Sequence, residues 1–202
     1  SIHGGTTALI LGDSTIDGDL TLTSTATSAT GISDSGTLNI RGTTTISASG
    51  VDITLNSAAN NFQGAVGIEG SDVILVDAGT IDLGASTVTG TYNLTAGGSV
   101  TDSGALAITG VTTIDASSGN VTLNTATNSF QGAVEIDGVN VVVVDAGAID
   151  LGASTVTGTY AVTATAGGDI TDSGVLAITG AATFTAASGQ NIYLDSANTY
   201  SN

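Results

Sequence analysis

The chain has no cysteine, proline, methionine, tryptophan or lysine, and Arg41 is its one strong base. Without cysteine there is no disulfide framework, no zinc–thiolate cluster and no thiol nucleophile. The single histidine, His3, stands near the start of the chain, where it reads as a solvated terminal residue. With no Lys or Cys beside it, nucleophilic catalysis has almost no side chains to use. Eighteen acidic residues against one basic residue give a formal charge of −17. Nucleic acids and anionic membranes are therefore excluded as partners, since both need Lys and Arg to neutralise phosphate. No apolar run approaches the ~20 residues of a membrane-spanning helix, so no membrane insertion is expected. An open reading frame starts with Met, so its absence reads as a processed product or a piece of a longer chain, with any targeting segment upstream.

What the 202 residues do contain is repetition. The stretch Ile81–Tyr92, IDLGASTVTGTY, returns unchanged at Ile149–Tyr160, and its Gly84-Ala85-Ser86 reads as a corner. Phe62–Val66 returns as Phe130–Val134 at the same offset, a long period of about 68 residues. Three units follow, at about 11–82, 83–150 and a partial 151–202. The first has about four extra residues near Thr25–Gly31 and the third has two near Thr163–Gly168. Insertions confined to one turn, with register recovered afterwards, are what a stacked array tolerates.

Within a unit, apolar and polar residues alternate, as in Val51-Asp52-Ile53-Thr54-Leu55 and Val121-Thr122-Leu123-Asn124. Alternation of period two gives short strands with one buried and one wet face. Val141–Val144 is the exception, apolar on both faces, and marks either a covered strand or an exposed apolar strip. Twenty-nine glycines and many β-branched residues leave no helical stripe. A finer repeat of about 22 to 23 residues opens at Leu38, Val66 and, more loosely, Val88. That length suits one coil of three short strands, stacked on the next at ~4.8 Å. The expected fold is all-β: a parallel β-helix, or β-solenoid, of about nine coils, about three to each 68-residue unit. The whole chain, 1–202, is then one repetitive segment. A tandem of small sandwiches fits less well, because such domains take about 100 residues and favour a buried Trp.

The apolar-x-apolar-x-Gly coil opening, the Ala48–Leu55 and Ala116–Leu123 turn-and-strand segments, and Asn60–Val66 with Asn128–Val134 resemble large bacterial exoproteins of the filamentous-haemagglutinin-like adhesin type. The resemblance implies a right-handed parallel β-helix serving as the shaft of a secreted or cell-surface protein. It transfers no binding residue, because such shafts are defined by their core pattern.

Candidate chemistry is sparse. Asp13, Asp17 and Asp19 form the one acidic cluster and are the candidate ligands for calcium, an ion held by carboxylate and carbonyl oxygens. They lack the Gly-Gly-x-Gly-x-Asp run of calcium-stacked β-rolls, and a polar turn accounts for them equally. A carbohydrate-cleaving site needs two converging carboxylates with groups to hold sugar, and four Tyr, three Phe and one Arg supply few. Asp34, Asp102 and Asp172 recur in Asp-Ser-Gly turns and read as turn formers at one azimuth, three coils apart. Tyr92 with Tyr160, and Phe62 with Phe130 and Tyr200, read as core or corner fillers, each set sharing an azimuth. Thr87/Thr89 and Thr155/Thr157 would make an ice-binding face only if such a pair stood on every coil. The reading is therefore a non-enzymatic structural shaft or spacer, whose partners are flanking repeats or other copies of itself, with end-to-end association expected. The alternative is a module that binds host or matrix carbohydrate, or calcium.

Overall fold

The structure, a computed structural model, describes residues 1–201. These residues form 29 short strands and no helix. Adjacent coils pair in parallel, for example Tyr92–Ala96 on Val73–Asp77 and Thr112–Ala116 on Tyr92–Ala96. Two sheets of ten layers each flank a single core, so the chain makes about nine turns, a rod of roughly 40 Å at ~4.8 Å per layer. The expected β-solenoid is observed.

Away from the two ends of the rod, strands bury alternate residues, mostly Val, Ile, Leu or Ala with an occasional Ser or Thr, and turn the intervening ones outward. Val141–Asp145, apolar on both faces, obeys the same rule: Val141 and Val143 are fully buried, whereas Val142 and Val144 point out and stay half-buried. Val142 lies between Thr122 and Ala161 on the neighbouring coils. The aromatic side chains Phe62, Tyr92, Phe130 and Tyr160 fill the core, while Tyr200 is exposed.

The coils are not equal in length. The path from Leu20 to its partner Thr44 on the next coil is longer than the path from Val66 to its partner Leu83. The difference lies in how each side of the coil is built. A straight side is one strand, such as Val73–Asp77 or Tyr92–Ala96. A bent side is two shorter strands meeting at a corner, such as Ile81–Leu83 with Ser86–Val88. The coil of Val66–Gly70 and Val73–Asp77 has two straight sides and is therefore short.

This irregularity fixes where the repeats sit. Between Val66–Gly70 and its counterpart Val134–Gly138, the chain makes seven passes across the core, four straight and three bent. A unit thus spans three and a half turns, and its counterpart falls in the opposite sheet. Asp34 and Asp172 lie in one sheet and Asp102 in the other; Tyr92 and Tyr160 are divided likewise. Phe62 lies in a small third sheet, Phe130 and Tyr200 in the two large ones. The shared azimuths expected for these sets are therefore corrected, because the unit holds a half-integral number of turns.

Turn glycines stack on one another where coils come closest. Gly110 donates its N–H to the Gly90 carbonyl at 2.9 Å, and an added Cβ on Gly110 would be driven into that same oxygen. A Cβ added to Gly132 would likewise be driven into the Gly110 carbonyl oxygen. At Gly79 the nearest atom to an added Cβ is Asp77 Oδ1 at an ordinary 3.6 Å. We predict that Gly110→Ala lowers unfolding stability by roughly 1–3 kcal/mol through overpacking, and that Gly79→Ala is close to neutral. Equal urea midpoints for the two variants would contradict this packing.

Candidate functional site

Polar side chains in this chain mostly close gaps in the inter-coil ladder. Where a bent side turns a corner, successive backbone N–H groups lose their carbonyl partners and need others. Asn128, fully buried, accepts from Leu106 N through Oδ1 at 2.9 Å and donates from Nδ2 to Asp102 Oδ2 at 2.6 Å. Asp102 also accepts from Asn124 N at 2.8 Å and Thr125 N at 3.2 Å. Asp34 with Asn60 and Asp172 with Asn198 repeat the arrangement. The expectation that the Asp-Ser-Gly aspartates form their own turns is corrected: their carboxylates accept from backbone N–H groups of the following coil.

Asp77 and Asp145 do a related job from inside. Asp77 is 1 % exposed; its Oδ2 accepts from Phe62 N at 2.6 Å and its Oδ1 from Gly79 N at 2.7 Å. Asp145 holds Phe130 N at 2.7 Å and Gly147 N at 2.6 Å. Burial pushes both carboxyl groups above the ordinary carboxylate value, and these hydrogen bonds hold them back only in part. In the sequence the two belong only to a repeated lead-in, Val76–Gly79 and Val144–Gly147, with no role attached. Their one signal is an Asp placed at the buried phase of an apolar strand.

The candidate calcium ligands are not brought together. Asp13 accepts from Thr37 N at 2.7 Å, and Asp19 accepts from Thr43 N at 2.8 Å. That bond lowers the Asp19 pKa. Asp17 forms an exposed ion pair with Arg41 at 2.9 Å. Among the described residues no group of three or more His, Cys, Asp or Glu is placed to hold a metal ion.

A surface groove lies where a straight strand stacks on a bent pair. Val66–Gly70 meets Ile81–Leu83 at Val66 and Ser86–Val88 at Glu69, so the ladder opens between them. Ser86 bridges the opening: its Oγ accepts from Ile68 N at 3.0 Å and donates to the Gly84 carbonyl at 3.0 Å. Above it lies a groove of about 470 Å³, with Thr45, Glu69 and Thr87 beside Ala85, Ala105 and Ala107. Glu69 accepts from Ser47 Oγ at 3.1 Å, and no cation lines the groove. A polar rim over methyl groups suits a hydroxylated ligand, with the carboxylate accepting from its hydroxyls.

One unit later Ser154 bridges the same opening, accepting from Ile136 N at 2.9 Å. There Gly67 is replaced by Glu135, whose Cγ lies where a Cβ on Gly152 would go. The space divides into pockets of about 160 and 90 Å³. The sequence shows a corner in Gly84-Ala85-Ser86 but not the groove beside it. Ser after Gly-Ala was its signal.

The outward Thr pairs do not build a ladder. Thr87 stands between Glu69 and Ala107, and Thr155 between Asp137 and Ala177.

Fold and site together define a parallel β-solenoid repeat protein. The chain belongs to the family described as repeats of unknown function (DUF5649), which matches residues 1–69, 70–137 and 138–202. The period equals the one read from the sequence, and the unit boundaries differ from it only in phase. No curated protein and no solved structure matches the chain.

The buried aspartates give a pH dependence of definite sign. A carboxyl with a raised folded-state pKa favours folding below its unfolded value, ~3.8 to 3.9, and that contribution is lost as pH rises through the raised value. Stability is expected to fall from about pH 4 towards neutrality, and the Asp77→Asn/Asp145→Asn double variant to show a shallower fall. Urea midpoints measured across this range check it; an unchanged slope in the variant would assign the effect elsewhere.

Proposed function

We propose that the chain is a structural shaft or spacer within a secreted or cell-surface repetitive protein of the adhesin or extracellular-fibre kind. The observation that carries this reading is one core running unbroken through all three units, with each coil bonded to the next. Length is then the property the repeats control, at ~17 Å per unit of three and a half layers. The reading assigns no catalysis: the carboxylates described above are tied up by backbone N–H groups or hydroxyls, and Asp17 by Arg41. The resemblance to bacterial adhesins supports the extracellular location, and the lack of cations argues against nucleic-acid partners. Flanking repeats or further copies of the chain are the natural neighbours in this reading.

A second reading, a carbohydrate-binding module, draws on the open groove beside Glu69. One experiment separates the two. Proteins of two, three and four tandem units are compared by small-angle scattering and probed against polysaccharides. The shaft reading expects the maximum dimension to grow by ~17 Å per unit, with no saccharide retained. A constant dimension would overturn it. Saccharide binding that Gly67→Glu abolishes would favour the groove.

A further inference from the structure

We infer that tandem units of this chain build a two-faced rod, in which each unit presents its surface on the side opposite to that of its neighbours. The inference rests on the fold and is independent of the shaft reading. Seven passes per unit place Val66–Gly70 in one large sheet and its counterpart Val134–Gly138 in the other. The open groove lies on the sheet containing Val66–Gly70, and the one narrowed by Glu135 lies on the sheet containing Val134–Gly138.

The alternation survives changes of unit length. The steps from Asp34 to Asp102, from Asp102 to Asp172 and from Leu11 to Leu83 all differ in length. Each of these pairs is nevertheless divided between the two sheets. The added residues lie in turns and leave the number of passes unchanged. The number of passes, rather than the number of residues, is what the unit keeps constant.

Two rows of equivalent surfaces follow, one on each face. Along a row the spacing is ~34 Å, and the rows are staggered by ~17 Å, from layers of ~4.8 Å. A unit of three whole turns would instead line its surfaces along one side. Removing a single unit also turns everything beyond it through half a revolution, and removing two restores the original facing.

The test uses pairs of spin labels, and the cysteine-free chain provides a clean background. Asp82, Thr101, Thr122 and Val142 occupy one outward column on successive layers. Labels on Asp82→Cys/Val142→Cys therefore sit three layers apart on one face, ~14 Å along the axis. Labels on Asp82→Cys/Asp150→Cys are one unit apart and fall on opposite faces. The expected result is strong dipolar broadening for the first pair and a distance at least ~10 Å longer for the second, the thickness of the core between sheets. The exposed pair Thr87→Cys/Thr155→Cys repeats the second measurement should a half-buried label disturb folding. A short distance between labels at Asp82 and Asp150, or at Thr87 and Thr155, would overturn the inference.

Discussion

The backbone ladder between coils is the interaction on which everything else depends. A parallel solenoid satisfies its N–H and C=O groups only through the coils above and below, so a gap in the ladder leaves buried polar groups unpaired. Each such group costs roughly 1–3 kcal/mol. The polar residues of the interior are explained by this constraint. Ser86 fills the gap where a straight strand meets a bent pair, Asn128 and Asp102 fill the corner, and Asp77 supplies the acceptor for Phe62 N. A buried carboxylate is a costly acceptor, and its raised pKa expresses that cost. Four buried hydroxyls among the described residues stay outside the scheme: those of Thr44, Tyr92, Thr112 and Tyr160 have no hydrogen-bond partner, and burial pushes the pKa of the two tyrosines up.

The same ladder dictates composition. Coils at ~4.8 Å leave room for Val, Ile, Leu and Ala inside and for glycine at the closest turns, where Gly90, Gly110 and Gly132 lie one above another. Outside, single Asp, Asn and Thr side chains reach the neighbouring layer: Asp72 accepts from Thr91, and Asn120 from Asn140. The excess of negative charge is consistent with this use, since a carboxylate can accept from two or more N–H groups at once. Arg41 has one partner, Asp17, and both remain well exposed, so this pair adds little.

Much of the fold was legible because the alternation of apolar and polar residues maps directly onto inward and outward positions. The long period, the parallel solenoid and its turn number followed from that pattern. The facing of the units was not legible. The openings at Leu38, Val66 and Val88 suggested evenly sized coils, but Val73–Asp77 is a full pass across the core by itself. A coil with two straight sides is shorter than its neighbours, and no residue type announces it. The candidate site fared similarly. Asp13, Asp17 and Asp19 are close in sequence, yet the chain runs through a strand and a turn there and sends each carboxylate to a different partner. The groove narrows one unit later, where Glu135, Asp137 and Val175 stand at the positions of Gly67, Glu69 and Ala105, and only that comparison shows it.

Amide hydrogen exchange tests the central claim, that side chains complete the inter-coil ladder where the backbone cannot. The amides of Ile68, Leu106 and Phe130 donate to Ser86, Asn128 and Asp145. The account predicts that they exchange as slowly as Ile114, a residue in the middle of a strand paired on both sides. Exchange at the rate of unprotected turn amides would contradict it.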